Sequence, residues 1–148
     1  MKVLIAHVPA GSGHEMAAQA VHSAVHQLQP GAEAILLNGL DGMSPGYRWA
    51  FTQGYIDLIH RRPFLWGLAY HLTDLRGLAR AAPWIHRLSN AAQGSALEEI
   101  LLHHKPDVVI GTHFYPMEVA SHLKLRGKLS ARLITVITDF LPHSVWLS

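Results

Sequence analysis

The sequence predicts an α/β fold in which a Rossmann-like parallel sheet is flanked by helices. Short apolar runs rich in β-branched residues alternate with longer segments of helical periodicity. The first apolar run leads into a loop with two glycines, and a helix follows that loop at once. Strands and helices that alternate in this way form parallel sheets. The length of 148 residues suits one domain, so we expect residues 1–148 to form a single Rossmann-like unit.

The first elements form a strand–helix–strand unit. Residues 2–8 (KVLIAHV) are nearly all apolar, which is typical of a strand buried on both faces. Residues 14–28 show helical periodicity, and Pro30 with Gly31 ends that helix. Residues 32–38 (AEAILLN) are the second strand. The apolar face of the helix is expected to consist of Ala17, Ala20, Val21, Ala24, Val25 and Leu28.

The chain from about residue 44 to residue 90 has a different composition, because aromatic residues and arginines dominate it. Pro63 and Pro83 divide it into short helices, so we expect a helical insertion in the domain. Two interpretations of its side chains stay open. The rings and guanidinium groups could meet lipid headgroups at a membrane surface, or the aromatic residues could form the core of a helical lobe. In the first case the membrane contacts are Arg61, Arg62, Phe64 and Trp66.

The remaining elements follow the same alternation. A helix over residues 91–104 returns to the core, and residues 107–113 (DVVIGTH) are a third, buried strand. Residues 117–128 are expected to be helical. Residues 132–138 (RLITVIT) are the fourth strand, which completes the predicted sheet.

Composition excludes several classes of function. The chain has no cysteine, so disulfides, thiolate metal sites and cysteine nucleophiles are excluded, and a reducing cytoplasm is compatible with it. The net charge of +2 is too small to indicate nucleic-acid binding. No apolar run approaches the roughly 20 residues that a membrane-spanning helix needs. We therefore expect a protein that is soluble or lies on a membrane surface.

Polar residues follow three of the predicted strands. Pro9–His14 follows the first strand, Gly111–His113 ends the third, and Thr138 with Asp139 ends the fourth. His143 and Trp146 come shortly afterwards. Ligands of open parallel sheets bind outside the carboxyl ends of the strands. We therefore expect these loops to meet at one edge of the sheet and to form a site there.

The loop Gly11–Ser12–Gly13 suits a close approach of a ligand to the backbone. The helix behind it offers free N–H groups and a positive dipole end. The spacing resembles the start of a dinucleotide-binding fingerprint, but Met16 stands where the third glycine belongs. A tight turn without a ligand and a small nucleotide-binding loop both stay open.

His14 is a candidate general base. The positive end of a helix disfavours an imidazolium, so we expect a neutral ring that can accept a proton from a hydroxyl. A histidine that only hydrogen-bonds locally is the alternative. Asp139 could orient this imidazole or cap a short helix. His22 and His26 are four residues apart, but no third ligand accompanies them at a suitable spacing, so no metal site is expected.

Three motifs together resemble the amino-terminal half of the monogalactosyldiacylglycerol synthases and of the related processive diacylglycerol glucosyltransferases. The motifs are GSGHEMAAQAV (11–21), PDVVIGTHF (106–114) and ITVITDFLPHSVW (134–146). The resemblance implies the N-terminal half of a GT-B glycosyltransferase, which pairs two Rossmann-like domains across a cleft. Such an enzyme transfers a hexose from a UDP-sugar to diacylglycerol with inversion and uses no essential bound metal.

The resemblance also implies roles for individual residues. The catalytic residues would be His14, as the base on the acceptor hydroxyl, and Asp139. The acceptor and the cleft would be contacted by Gly11, Ser12, Gly13, Thr138, His143 and Trp146. Ser12 departs from the family's run of three glycines, and Asn38 replaces an aspartate that the family commonly has after its second strand.

Expected partners follow from the same resemblance. The domain would bind no cofactor itself, because the UDP-sugar belongs to a carboxy-terminal donor domain that these 148 residues do not contain. The domain would be inactive alone and would contact diacylglycerol and an anionic lipid surface on the cytoplasmic face of the membrane. The acceptor could instead be another lipid. A non-catalytic lipid-binding module on a membrane surface is the alternative function.

Overall fold

The structure is a computed structural model, which describes residues 1–65, 67, 95–139 and 146. Strands β1 to β4 span Lys2–His7, Glu33–Asn38, Val108–Gly111 and Arg132–Thr135. Helices α1 to α5 span Ser12–Leu28, Pro45–Trp49, Tyr55–Arg61, Ser95–His104 and Phe114–Leu125. A π-helical turn over Ala50–Gly54 connects α2 to α3. The predicted site residues Trp66 and His143 lie outside the described residues, as does Pro83.

The strands form one parallel sheet in the order β2-β1-β3-β4. Ala6 of β1 lies beside Leu37 of β2 and beside Gly111 of β3, so the carboxyl ends of these strands are level. The chain moves from β1 outward to β2 and then returns to the other side of β1. This arrangement confirms the predicted Rossmann-like fold, and it places the reversal of strand order between β1 and β3.

Strand β1 is buried on both faces, as its apolar sequence predicts. Val3 and Ile5 pack with Ala18 of α1 on one face of the sheet. Leu4 and Ala6 belong to the larger cluster on the other face, which includes side chains of α4 and α5. Burial of each large apolar side chain contributes about 1.5–3 kcal/mol, so the sheet is stabilised from both sides.

The buried face of α1 differs from the predicted one. Ala18 is fully buried, and Val21 and Val25 pack beside it. Ala20, Ala24 and Leu28 are exposed, so the prediction was wrong for these residues. The alanines of this helix have small side chains, so their spacing does not identify the face that is buried. The larger valines, spaced four residues apart, decide which face packs on the sheet.

Several element boundaries also differ; β3, for example, ends at Gly111 rather than at residue 113. Helix α1 begins at Ser12 rather than at residue 14, and α5 begins at Phe114 rather than at residue 117. Strand β4 ends at Thr135 rather than at residue 138 and lies at the edge of the sheet, where Ile134 is half exposed. Residues 136–139 are therefore loop, which frees them to turn over the carboxyl edge.

The described part of the segment after β2 consists of short helical elements. Arg48 of α2 is tied to the loop after β2 by hydrogen bonds of 3.1 Å to the carbonyl of Leu40 and 3.1 Å to Asp41. Helix α3 ends just before Pro63, which cannot donate a backbone hydrogen bond. Within the described ranges, no helix combines the length and apolarity that crossing a membrane requires.

Gly111 lets α5 pack closely against the end of β3. A Cβ atom built on this residue would overlap the side chain of Met117. The close approach brings the first turn of α5 over the last residues of β3. The loop between them, Thr112 and His113, is thereby held at the carboxyl edge of the sheet.

Candidate functional site

The carboxyl edge of the sheet between β1 and β3 brings three loops together. The loop after β1 supplies His14, the loop after β3 supplies Thr112, and the loop after β4 supplies Thr138. These residues are 98 and 124 positions apart in sequence from His14, yet they share hydrogen bonds. The predicted convergence of the loops is therefore present in the structure.

Gly11 starts the helix that carries His14. Its φ angle of 88° lies in the left-handed region, which glycine adopts without strain. Gly11 offers no side chain to cap the helix, and space is open around it and around Gly13. Ser12 is exposed. The first turn of α1 is thus accessible beside His14, as the glycine loop predicts.

His14 is joined to Thr112 by two reciprocal hydrogen bonds. Nδ1 of His14 lies 2.7 Å from the carbonyl oxygen of Thr112, and the Thr112 hydroxyl donates to the carbonyl oxygen of His14 over 2.7 Å. The Thr112 side chain is completely buried. A carbonyl oxygen only accepts, so Nδ1 must carry the ring proton. In the neutral ring, Nε2 then holds the free lone pair.

Thr138 completes the support of the ring from the loop after β4. Its Oγ1 lies 2.5 Å from Nδ1 of His14 and donates to the carbonyl oxygen of Thr112 over 3.3 Å. The Nδ1 proton is thus shared between two oxygens on the same side of the ring. This arrangement fixes the tautomer and turns Nε2 away from the sheet.

Nε2 of His14 faces the carboxylate of Asp139. The distance from Nε2 to Oδ1 is 3.8 Å, and Asp139 is held in turn by a hydrogen bond of 2.8 Å from the indole nitrogen of Trp146 to Oδ2. While Nε2 holds a lone pair, this contact is not a hydrogen bond. Once Nε2 takes up a proton, the carboxylate stabilises the imidazolium. The pair is therefore suited to transient proton uptake.

His113 lies against the same ring and was not among the predicted site residues. Its ring centre is 4.8 Å from that of His14, with the planes at 78°. Burial lowers the pKa of His113 to about 3, and the neighbouring charge of His14 adds to the effect. His113 is consequently neutral near pH 7. Its position at the carboxyl end of a predicted buried strand was the signal that could have identified it.

His7 is a second buried histidine close to this edge. Burial is the main cause that lowers its pKa, while the carboxylates of Glu15 and Asp41 oppose the shift. Its Nδ1 has no hydrogen-bond partner among the described residues. It contributes an uncharged side chain at the end of β1, next to the helix that carries His14.

The structure places the predicted site residues in two groups. His14, Thr138, Asp139 and Trp146 form one connected cluster with the glycine loop beside it. Arg61, Arg62 and Phe64 lie instead at and after the end of α3 and are exposed. Phe64 exposes 80% of its surface, which leaves an aromatic ring open to contact.

No metal centre is apparent at this edge. Across the described ranges, no three histidine or carboxylate side chains are close enough together to hold an ion. The rings of His22 and His26 on α1 meet edge to face, with centres 4.6 Å apart, and Nε2 of His22 contacts the carbonyl oxygen of Ala34. The pair belongs to the helix surface rather than to the cluster around His14.

The fold and this edge first define a class: a Rossmann-like α/β domain that holds an imidazole where the strand order reverses. The family model described as "Monogalactosyldiacylglycerol (MGDG) synthase" matches residues 14–148, and the chain belongs to this family. The predicted resemblance is thereby confirmed. The match contains all three motifs from His14 onward.

A curated relative extends the comparison over nearly the whole chain. The "Processive diacylglycerol beta-glucosyltransferase" of Bacillus cytotoxicus is 28% identical over 147 residues. The alignment covers 99% of this chain and 36% of the relative, so the chain spans about a third of the relative's length. No solved structure matches the chain significantly.

Proposed function

We propose that this chain is the acceptor-binding half of a UDP-sugar-dependent hexosyltransferase that glycosylates diacylglycerol with inversion. One observation carries the proposal. The bond from Nδ1 of His14 to the carbonyl oxygen of Thr112 leaves Nε2 as the basic atom, and Nε2 faces Asp139 at the carboxyl edge of the sheet. The family and the activity for which the curated relative is named suggest the substrate class.

In the proposed reaction, His14 is the general base. Its Nε2 takes the proton of the diacylglycerol hydroxyl while the hydroxyl oxygen forms a bond to the anomeric carbon of the sugar. The bond from that carbon to the diphosphate breaks on the opposite face, and UDP leaves with the electron pair. Attack and departure on opposite faces invert the anomeric centre.

Asp139 has the complementary role. The proton taken from the acceptor makes His14 an imidazolium, and the Asp139 carboxylate 3.8 Å from Nε2 stabilises that charge. Trp146 keeps the carboxylate in place by donating to its other oxygen. Thr138 holds the opposite side of the ring, and the open glycine loop, Gly11–Gly13, together with His143, would border the acceptor.

The acceptor reaches this site from a membrane surface in our proposal. Exposed Arg61 and Arg62 would meet anionic lipid headgroups, while exposed Phe64 would enter the interface. Trp66 would act beside them. The membrane side is the cytoplasmic one, where the UDP-sugar is also expected.

A second domain would hold the UDP-sugar. The chain spans about a third of its curated relative, which leaves room in that protein for a donor-binding domain. We accordingly propose that residues 1–148 bind no cofactor and catalyse no transfer alone. Titration of UDP against this domain is expected to show weak binding or none. Tight binding would indicate that the glycine loop binds a nucleotide.

The decisive experiment compares two histidines of α1 in the protein that joins this domain to a donor domain. Transfer of labelled hexose from UDP-hexose to diacylglycerol vesicles is measured for His14→Ala and for His26→Ala. His26 is exposed on the same helix, so its variant is the matched control. We expect His14→Ala to lower kcat by about 10²–10⁴-fold and His26→Ala to leave it unchanged.

Two results would contradict the proposal. If His14→Ala transfers hexose at the rate of the control, His14 is not the general base. If the product has the anomeric configuration of the donor, the reaction does not proceed with inversion. Flotation with anionic vesicles distinguishes the alternative, a non-catalytic lipid-binding module, which the exposed Phe64 favours. That alternative predicts lipid binding by both variants without transfer by the parent protein.

A further inference from the structure

His113 meets His14 in a contact that the reaction above does not use. The ring of His113 stands at 78° to that of His14, with centres 4.8 Å apart, so one ring edge packs on the other ring. Trp146 lies farther from both rings, with centres 6.4 Å from His14 and 6.5 Å from His113. His113 is therefore the aromatic neighbour that touches His14 most closely.

His113 is itself held firmly. It is the N-cap residue of α5, and its Nδ1 accepts a hydrogen bond of 3.1 Å from the backbone N–H of Tyr115. Its ring also stacks on Phe114, with centres 4.3 Å apart. Only 5% of the residue is exposed. The ring cannot turn without losing the hydrogen bond to Tyr115 and the stacking on Phe114, so its position is fixed.

The His14 ring requires a packing contact of this kind to hold its orientation. Both of its side-chain hydrogen bonds, to Thr112 and to Thr138, are made by the same atom, Nδ1. Bonds at a single atom restrain the far side of the ring least, so small rotations about χ1 and χ2 move Nε2 more than Nδ1. No hydrogen bond within the described residues holds Nε2 while it carries a lone pair.

We propose that His113 is a positioning residue, whose capped ring packs against His14 and keeps Nε2 directed at Asp139 and the acceptor hydroxyl. Displacement of a reacting group by about 1 Å can cost about 10²-fold in rate, so a restrained ring matters for the reaction. Burial keeps His113 uncharged, which prevents a second imidazolium from forming beside His14. The kinetic part of this inference rests on the proposed function; the restraint of the ring does not.

Two substitutions separate the ring of His113 from its cap. His113→Asn keeps an oxygen that can accept from the N–H of Tyr115 but removes the ring. His113→Phe keeps a ring but removes the acceptor. We expect His113→Asn to lower kcat by about 10–100-fold with an unchanged KM for diacylglycerol, whereas His113→Phe recovers most of that loss. Loss of the cap should lower the Tm of His113→Phe by about 2–4 °C.

A second measurement follows His14 directly and needs no activity. Nitrogen-15 NMR of the labelled protein reports which ring nitrogen of His14 carries the proton. We expect the parent protein and His113→Phe to show sharp signals of the Nδ1–H tautomer. We expect His113→Asn to keep that tautomer, because Thr112 and Thr138 still hold Nδ1, but to show an Nε2 signal that is shifted and broadened by motion of the ring. His26→Asn is the control and should leave His14 unchanged.

The outcomes are distinct from those for the proposed function. Unchanged His14 shifts and unchanged kcat in His113→Asn would overturn the positioning role, even if His14→Ala is inactive. Losses of activity that simply follow Tm in both variants would also overturn it. Conversely, an active His14→Ala enzyme would defeat the proposed function while the NMR result still decides whether His113 restrains the ring.

Discussion

The carboxyl edge of the sheet and the segment from α2 to the end of α3 are built in different ways. At the edge, the hydrogen bonds of His14 reach Thr112 and Thr138, which are 98 and 124 positions away in sequence. In the segment, the Thr52 hydroxyl bonds to the carbonyl of Arg48 and Arg61 pairs with Asp57, both four residues away. Long-range bonds tie the first region to the sheet, while the second region is held by bonds to residues within eight positions along the chain and by packing of Tyr47 against the core.

The difference suits the two proposed tasks. Proton transfer depends on the distance between atoms, so a base has to be fixed by groups from several strands. Contact with a lipid surface depends on exposed apolar area and on charge, and it needs no single geometry. In this domain the long-range contacts surround the proposed base, while the segment proposed to face lipid is held mainly by residues nearby in the sequence.

Acid should damage the first region most, and this is the largest effect that we expect. Burial lowers the pKa of both His113 and His7, so the unfolded chain, with ordinary values near 6.5, binds more protons than the folded chain below that pH. For His113 the loss of stability begins as the pH drops below about 6.5 and continues toward pH 3, by up to about 1.4 kcal/mol per pH unit, and His7 adds a loss in the same direction. Chemical unfolding at a series of pH values measures the slope.

His113→Asn provides the control for this acid sensitivity. Removal of one titrating group should make the slope shallower in the same pH range. A slope identical to that of the parent protein would show that His113 is not held neutral in the fold, and the contrast between the two regions would lose one of its supports.

Matched glycine substitutions should separate the regions by the sign of their effect on stability. Gly111→Ala would push a Cβ atom into Met117 at the end of β3, and we expect a loss of about 1–3 kcal/mol. Gly46 lies in α2 with open space around it. We expect Gly46→Ala to raise the free energy of unfolding by about 0.5–1 kcal/mol, because alanine has the higher helix propensity. Urea unfolding of both variants measures the difference, and equal changes would contradict the comparison.

Charge reversal in the second region should act mainly on membrane binding. The double variant Arg61→Glu, Arg62→Glu replaces two exposed cations, and each cation near an anionic surface contributes about 1 kcal/mol. We expect weaker vesicle binding and a loss of less than about 1 kcal/mol in the free energy of unfolding, because the variant replaces the ion pair of Arg61 with Asp57 by a repulsion. Flotation with anionic and with neutral vesicles measures it. Equal binding of the parent protein and the variant to anionic vesicles would show that Arg61 and Arg62 do not contact the membrane.

Local sequence predicted the element types well and their packing less well. Apolar β1 had to be buried on both faces, and Val3 and Leu4 lie on opposite faces of the sheet as a consequence. For α1, helical periodicity was correct, but Ala20 and Ala24 were assigned to the buried face and are exposed. The methyl group of alanine buries too little apolar surface to decide which face of α1 packs on the sheet. The larger side chains of Val21 and Val25 pack there instead.

The candidate site was predictable to the level of loops. Parallel topology required the segments after β1, β3 and β4 to meet, and His14, Thr138 and Asp139 do lie together. The sequence could not show which residues of those loops touch. His113 and Thr112 stood in a recognised loop, yet their contacts with His14 depend on how closely α5 approaches β3.

The sequence by itself determined the order of strands and helices, the glycine bend before His14 and the family to which the chain belongs, because these depend on residues that are close together along the chain. Only the tertiary structure decided the tautomer of His14, the carboxylate opposite its Nε2 and the buried ring beside it. Those features depend on distances of a few ångströms between residues far apart in sequence. Such distances are set by the packing of helices on the sheet, which no single segment encodes.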